Sequence, residues 1–371
     1  MTSPDTDVRP AGRPAGPWPR RLLRNRTVRA VAAATLAGAL LGAGVVGWRT
    51  GTLPFGGPRP CWDSLSTTAL DALMGAEGRR EVEEEALHEG VGRCRIRVFD
   101  TEGTSQREVS DRLDVEVREF DPMSVQGTRA WADEFLTSAM TPLGDGLSGM
   151  ASRTGAWLAL PQSCVGREPF VVVQARTDDS RFEHYAPERR RADLARVVVE
   201  AANGVLGDYG CTGRYRLPRT APAPMEWRES DPAALCGLPG VAVPRKRPKF
   251  ETERIGPVGG PVRVCAARRL GEESVRLTTV TDPRLAELLG KEVFTGGPSV
   301  AGKPGHGSYA PARAVYRVGC QTGDVVFLVE QLERMESGYT LVRGMLAPYV
   351  ASEAHRLGCG PVEVGPVDPR T

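Results

Sequence analysis

The segment CVGREPFVVVQ (residues 164–174) places a cysteine and a glycine-containing turn directly before a β-branched strand. The segment CQTGDVVFLVEQ (residues 320–331) repeats this pattern. An amphipathic helix follows each copy and ends at a Gly-Cys pair, Gly210-Cys211 or Gly358-Cys359. Glycine there suits the left-handed residue that closes many helices. The sequence therefore predicts a duplicated strand-and-helix unit.

The apolar residues of both helices have the spacing of a single buried face. In the first helix they are Leu194, Val197, Val198, Ala201 and Val205. In the second they are Leu341, Met345, Leu346, Val350, Ala354 and Leu357. Pro348 interrupts the second set, so this helix either kinks at the proline or begins near it.

The earlier cysteines extend the comparison, because Cys61 and Cys94 are spaced much like Cys236 and Cys265. Strands are predicted at 94–99, 113–120, 262–267 and 274–280, and helices at 128–140 and 283–289. The order in each half is helix, two strands, helix, two strands, helix. Such an order is typical of an α+β fold, with helices packed on an antiparallel sheet.

We predict two similar α+β units, 61–216 and 232–361, joined by a linker at 217–231 and followed by a tail at 362–371. One composite domain with accidental internal similarity is the alternative. The chain of 371 residues is long enough for either arrangement. Its net charge of +2 gives no reason to expect nucleic acid as a partner.

The predicted fold class also includes an N-terminal transmembrane helix at 30–48, AVAAATLAGALLGAGVVGW. Nineteen uncharged residues just cover a hydrocarbon core of about 30 Å. Five arginines closely precede the segment, so the positive-inside rule places a disordered tail (1–29) in the cytoplasm. A tether (49–60) and the bulk of a single-pass cell-membrane protein would then be extracytoplasmic. A cleaved signal peptide is the less favoured alternative.

Two glycines of that segment, Gly38 and Gly42, form a G-x-x-x-G pattern that allows two helices to approach closely in lipid. They are candidates for a helix–helix contact with a second copy or another membrane protein. A plain Gly/Ala-rich segment is the alternative. The overlapping GAGVVG motif is rejected as a dinucleotide site, because it lacks the preceding strand and following helix that such a site needs.

All eight cysteines follow this segment, which predicts up to four disulfides in an oxidising compartment. A helix that returns antiparallel over its preceding strand brings Cys211 to Cys164 and Cys359 to Cys320. Elimination within each unit leaves the pairs Cys61–Cys94 and Cys236–Cys265. Buried free thiols are the alternative. No metal site is predicted, because C-x-x-C is absent and the four histidines are scattered.

No motif supports catalysis or a cofactor. The segment GPSVAGK (297–303) matches a P-loop, but Pro304 follows where Ser or Thr is needed, so a flexible loop is favoured. The acidic run at 81–85 is interpreted as the solvated face of a helix. Arg189, Arg190 and Arg191 begin the first long helix, where a solvated turn is favoured over an anion site. The basic loop at 245–249 is either a linker or a contact with anionic lipid headgroups or wall polymers.

The residues Cys61-Trp62, Arg93-Cys94-Arg95, Gly210-Cys211 and Gly358-Cys359 carry a family resemblance. The pattern resembles actinobacterial membrane-anchored or lipoprotein extracytoplasmic domains of unknown function. Some of these are similar to the sensor domains of mycobacterial-type serine/threonine kinases. The resemblance implies an α+β fold with disulfides inside each domain, and it brings no catalytic residue.

These observations together favour a non-catalytic, sensor-like binding protein whose ligand is a protein, a lipid or an envelope component. An envelope hydrolase with an unrecognised motif is one alternative. A structural subunit of a membrane complex, assembled through Gly38 and Gly42, is the other.

Overall fold

The computed structural model describes residues 59–88, 91–99, 109–121, 124–166, 170–178, 187–219, 222–223, 225–243, 249–294, 297–332 and 341–365. These residues belong to one compact unit that begins at Arg59. The helices are α1 (Pro60–Asp63), α2 (Thr67–Met74), α3 (Val125–Phe135), α4 (Gln162–Val165), α5 (Pro187–Asp208), α6 (Pro283–Gly290) and α7 (Leu341–Arg356).

The strands form two antiparallel sheets. Sheet 1 contains β1 (Arg79–Glu84), β2 (Gly92–Phe99), β3 (Val109–Phe120), β4 (Thr141–Pro142), β5 (Gly149–Ala151), β6 (Gly155–Ala159) and β7 (Phe170–Thr177). Sheet 2 contains β8 (Arg228–Glu229), β9 (Thr252–Ile255), β10 (Val262–Arg269), β11 (Glu272–Val280), β12 (Ser299–Lys303), β13 (His306–Ala310), β14 (Arg313–Cys320), β15 (Gly323–Gln331) and β16 (Glu363–Val364).

Seven strands follow the same order in both sheets. Sheet 1 runs β1-β2-β3-β7-β6-β5-β4, and sheet 2 runs β8-β9-β10-β11-β15-β14-β13-β12-β16. Without the two-residue edge strands β8 and β16, β9 corresponds to β1, β10 to β2, β11 to β3 and β15 to β7. The sequence had located three strands in each half, which correspond to β2, β3 and β7 and to β10, β11 and β15. It gave no residues for β1, β9, the β4–β6 meander or β12–β14.

One long helix covers one face of each sheet. Helix α5 lies across β5, β6 and β7, and α7 lies across β14 and β15. The apolar residues predicted for α5 are all fully buried in the core that α5 shares with sheet 1. The residues predicted for α7 lie in the core of sheet 2, with Leu357 only partly buried at its border. Pro348 lies inside α7, so the helix begins before the proline.

Helices α3 and α6 contact each other, and α6 also contacts β7 of sheet 1 and both β14 and β15 of sheet 2. A third apolar core surrounds these two helices and takes residues from both sheets. Trp131 of α3 packs edge-on against Trp157 of β6, with ring centroids 5.3 Å apart. Leu285, Leu289 and Leu328 of the second half belong to the same core. Apolar packing is therefore continuous from sheet 1 to sheet 2.

Local sequence chemistry fixes several of the helix ends. Ser66 caps α2 by accepting a hydrogen bond from the Ala69 N–H at 3.1 Å, and Asp282 caps α6 by accepting from the Leu285 N–H at 2.9 Å. Serine and aspartate favour this position, because their side chains replace the missing helical acceptors. Gly210 and Gly358, after α5 and α7, have the expected positive φ of 71° and 70°.

The predicted fold class requires a correction. Among the described residues, no helix is long and apolar enough to cross a membrane. The predicted span at 30–48, with Gly38 and Gly42, lies outside the described residues, as do the tail at 1–29 and nearly all of the tether. The fold class of the described residues is therefore α+β with two antiparallel sheets. The division at 217–231 into two units stays a prediction.

Two local predictions were also wrong. The acidic run belongs to edge strand β1 and not to a helix. This segment pairs antiparallel with β2, and the pairing places Glu83 opposite Arg95. The P-loop-like segment ends in strand β12 and is not an irregular loop, because Ser299 pairs with Ser308 of β13. Both segments gain backbone hydrogen bonds from a neighbouring strand, which single-segment patterns do not reveal.

The disulfide prediction is confirmed. The structure joins Cys61 to Cys94, Cys164 to Cys211, Cys236 to Cys265 and Cys320 to Cys359. Two of these bonds connect the strand-side cysteine to the end of the long helix in each half. No cysteine of the described residues is free.

Candidate ligand-binding cleft

A cleft of about 470 Å³ lies where α3 ends over sheet 1, on the sheet face opposite α5. This volume is in the range of small-molecule sites. Charged side chains from both the sheet and the helix line it: Arg112, Asp114, Glu134, Arg176 and Asp178. The rest of the lining consists of the hydroxyl-bearing residues Thr137, Ser152, Thr154 and Thr177, the apolar residues Phe135, Ala139 and Met140, and Gly155.

Strand register brings the charged residues of the cleft into one row. Asp114 of β3 lies opposite Arg95 of β2 on one side and Arg176 of β7 on the other. Arg176 in turn lies opposite Gly155 of β6. Since alternate residues of a strand share one face, these side chains project away from α5. At the end of the row, Met140 and Phe135 pack over Gly155, where an added Cβ atom would meet them at 3.4 and 3.5 Å.

Two arginines hold Asp114 in its charged form. Arg95 donates from Nε to Asp114 Oδ1 at 2.7 Å, and Arg112 Nε lies 2.6 Å from Oδ2. Burial acts to raise the pKa of Asp114, but the hydrogen bonds and charges of these arginines outweigh it and lower the pKa below its ordinary value. The carboxylate therefore stays ionised at neutral pH.

Arg176 connects the sheet to the helix above the cleft. Its Nη1 donates to Glu134 Oε1 of α3 at 2.7 Å, and its Nη2 lies 3.9 Å from Glu116 Oε2 of β3. Arg176 and Glu134 are both partly exposed, with 43% and 44% of their side chains accessible. An exposed ion pair of this kind contributes little to stability, so either group can take a ligand at small cost.

Helix α5 supports the cleft from the opposite side of sheet 1. Arg190, in the first turn of α5, donates to the Thr177 hydroxyl at 2.6 Å. It also donates to the carbonyl oxygens of Asp178 and Arg153, each at 3.2 Å. These bonds tie both backbone segments at the end of the cleft to the start of one helix.

Asp111 lies beside this support as a buried acid. It is 6% exposed, and its Oδ1 accepts from the Arg112 N–H at 2.8 Å and from the Thr177 hydroxyl at 3.4 Å. Among the described residues, its Oδ2 has no hydrogen-bond partner. Burial raises the pKa of Asp111 to about 6, although the Arg112 N–H and the charge of Arg190 act in the opposite direction.

The prediction that residues 189–191 form a solvated turn was wrong for two of the three arginines. Arg190 and Arg191 are only 3% and 5% exposed. Arg191 donates from Nη1 to the Thr141 hydroxyl of β4 at 2.7 Å, and its burial lowers the pKa of its guanidinium group. These arginines fasten the start of α5 to the central strand β7 and to the edge strand β4 of sheet 1.

The residues singled out from sequence do not form this cleft. None of the eight cysteines lines it, and the four disulfides act as cross-links within each half. The loop at 245–248 lies outside the described residues, and Lys249 beside it is exposed. Among the residues that the structure describes, no group of three or more His, Cys, Asp or Glu could hold a metal ion.

A sequence signal for part of the cleft did exist. In β2 and β3, charged residues alternate with apolar ones, as in Arg95-Ile96-Arg97 and Asp114-Val115-Glu116. Such alternation indicates a strand with one buried and one open face. Nothing local indicates Thr137 or Met140, which follow α3 and reach the cleft only through tertiary packing.

Comparison of the chain with protein-family models, with curated proteins and with solved structures finds no match. The resemblance to actinobacterial extracytoplasmic domains therefore stays a prediction.

Proposed function

We propose that this chain is a non-catalytic binding protein of an oxidising, extracytoplasmic compartment, and that the cleft on sheet 1 holds a small polar ligand. Four disulfides support the compartment, because such bonds persist where thiols are not kept reduced. One observation carries the site: charges of both signs and an apolar surface surround a single cleft of about 470 Å³.

The lining favours a small zwitterion with an apolar group. Arg112 and Arg176 offer guanidinium donors to a carboxylate, which an arginine fork matches in geometry. Glu134 and Asp178 offer acceptors to an ammonium group. Phe135, with its neighbour Met140, can cover an apolar side chain. A free amino acid or a short peptide combines these three features.

The ionised state of Asp114 supports binding over acid–base catalysis. A general acid needs a pKa near the working pH, whereas Arg95 and Arg112 hold the pKa of Asp114 below its ordinary value. The acid whose pKa rises to about 6, Asp111, lies on the face of β3 that α5 covers. From this position Asp111 can support the cleft from the side that α5 covers.

The proposal is tested by calorimetric titration and thermal unfolding of the full-length protein with a panel of free amino acids and dipeptides. Binding should raise the unfolding free energy by about 2.7 kcal/mol when the ligand is at a hundred times its Kd. Des-amino and amidated analogues of any ligand found should bind at least tenfold more weakly, because each loses one charged contact.

A matched pair of variants identifies the cleft. Ala139→Trp fills it with an indole and removes no hydrogen bond, while Ala233→Trp adds the same side chain at an exposed turn. Binding should disappear in Ala139→Trp and persist in Ala233→Trp. The proposal fails if no zwitterion of the panel binds, or if Ala139→Trp binds as well as the unsubstituted protein.

A further inference from the structure

The open side of β2 and β3 carries five arginines, which we call the arginine face: Arg93, Arg95, Arg97, Arg112 and Arg118. They share three carboxylates. Glu83 lies 2.9 Å from Arg97 and 3.4 Å from Arg95. Asp114 lies 2.6 Å from Arg112 and 2.7 Å from Arg95. Glu116 lies 3.5 Å from Arg118 and 3.9 Å from Arg93.

Five positive groups against three negative ones leave two positive charges within this set. Exposure increases the imbalance at the surface. The side chains of Asp114 and Glu116 are only 16% and 13% accessible, whereas those of Arg93 and Arg112 are 48% and 39% accessible. The guanidinium groups of Arg93 and Arg112 therefore lie above these two acids, whereas Glu83, which is 59% accessible, pairs at the surface with Arg95 and Arg97, which are 24% and 28% accessible.

The corresponding face of sheet 2 is built differently. By strand order, β10 and β11 take the places of β2 and β3. There the residues opposite α7 include Val264, Ala266 and Thr278, each at most 1% exposed. Val264 belongs to the apolar core between the sheets. The corresponding strands thus present a largely buried face in sheet 2, which includes Thr278 and Arg276 beside its apolar residues, and an arginine-rich, more accessible face in sheet 1.

The arginines also have a regular spacing. Arg93, Arg95 and Arg97 alternate along β2, which places them about 6.6–6.8 Å apart, and the next strand lies about 4.8 Å away. An extended peptide with acidic residues at alternate positions has the same repeat. A carboxylate is also the partner that these guanidinium groups already have within the sheet.

We propose that the arginine face is a docking surface for an extended acidic segment of a partner protein, with acidic residues at alternate positions. The partner segment lies over β2 and β3 and adds the carboxylates that the face lacks. Arg112 belongs both to this surface and to the lining of the cleft, but Arg93 and Arg97 do not line the cleft, so substitutions at these two residues test the docking surface separately from the zwitterion proposed for the cleft. Either proposal can therefore fail alone.

The test measures fluorescence anisotropy of a labelled peptide of six Glu-Thr repeats with the full-length protein at low salt. The double variant Arg93→Gln/Arg97→Gln keeps side-chain length and polarity, and should weaken binding about tenfold. The control Arg214→Gln/Arg216→Gln removes two exposed arginines with the same alternate spacing outside this face. It should stay within twofold of the unsubstituted protein. Binding should weaken steeply as salt rises.

Three results would overturn the proposal. The first is equal affinity of the Arg93/Arg97 variant and its control. The second is equal binding of a block peptide in which six glutamates precede six threonines, because it has the same charge without the spacing. The third is tighter, face-dependent binding to phosphatidylglycerol vesicles than to the peptide, which would assign the face to lipid. Unchanged thermal unfolding and unchanged cleft binding by the variant exclude a folding defect.

Discussion

Replacing Asp111 by asparagine tests whether a buried charge weakens the support of the cleft. Asp111 is 6% exposed and lies near Arg190, Thr177 and Asp178. Its pKa rises from 3.8 in the unfolded reference to about 6 in the folded protein. The folded state therefore holds this proton more tightly than the unfolded state does.

The sign of the effect follows from proton linkage. Where the folded state binds more protons, the free energy of unfolding falls as pH rises. The contribution of Asp111 is thus fully present below about pH 4 and is lost as pH passes through about 6. One pKa unit corresponds to about 1.4 kcal/mol, so the loss amounts to roughly 3 kcal/mol.

The assay is urea unfolding at equilibrium between pH 4 and pH 7.5, followed for the unsubstituted protein and Asp111→Asn. Asparagine keeps the Oδ1 acceptor but adds a buried N–H, whose cost does not depend on pH. The readout is therefore the change of the stability difference with pH. The variant should gain roughly 2.4 kcal/mol relative to the unsubstituted protein between pH 4 and pH 7.5, where most of the full difference is expressed.

Asp208→Asn is the matched control, since it removes an exposed carboxylate at the end of α5. Its profile should run parallel to that of the unsubstituted protein. A stability difference for Asp111→Asn that is the same at pH 4 and pH 7.5 would refute the reasoning, because Asp111 would then carry no buried charge.

Two further predictions concern stability. Glu353 of α7 is fully buried and accepts from both Arg356 and Arg263, so Glu353→Ala should cost about 3–5 kcal/mol in urea unfolding by leaving two arginines unpaired. The exposed control Glu363→Ala should cost under 1 kcal/mol, and equal losses would contradict this account. Cys61→Ala/Cys94→Ala opens a 33-residue loop and should cost about 4 kcal/mol by chain entropy. A loss below about 1 kcal/mol, measured by the same unfolding, would exclude that mechanism.

Two disulfide pairs could be predicted from one assumption, that a long helix returns over the strand before it, and the other two pairs followed by elimination within each unit. The apolar faces of α5 and α7 could also be predicted from the sequence, because apolar residues that recur with a period of 3.6 mark the buried face of a helix. Strand β1 was missed because its exposed edge position leaves charged residues on both faces. The short strands β4–β6 were missed because fully buried segments lose the alternation that marks a strand.

The cleft could be predicted only in part. Alternation in β3 places Arg112 and Asp114 on one face, but it does not show that α3 ends above them. The cluster at 189–191 has the charge of a solvated turn, yet Arg190 is buried because backbone carbonyls and Thr177 satisfy its donors. Hydrogen-bond partners that are distant in sequence thus reversed the interpretation.

By itself the sequence determined the α+β class, the two long helices, the cysteine pairs and the residues that share each face of β2 and β3. All of these depend on contacts that are local or repeat at a fixed period. Tertiary structure alone decided what covers each face. Helices α3 and α6 form one core with both sheets and bury the face of β10 that points away from α7. The corresponding face of β2, which points away from α5, stays accessible to solvent. The physical reason is that periodicity orients a side chain relative to its own strand, whereas burial depends on segments far away in the chain.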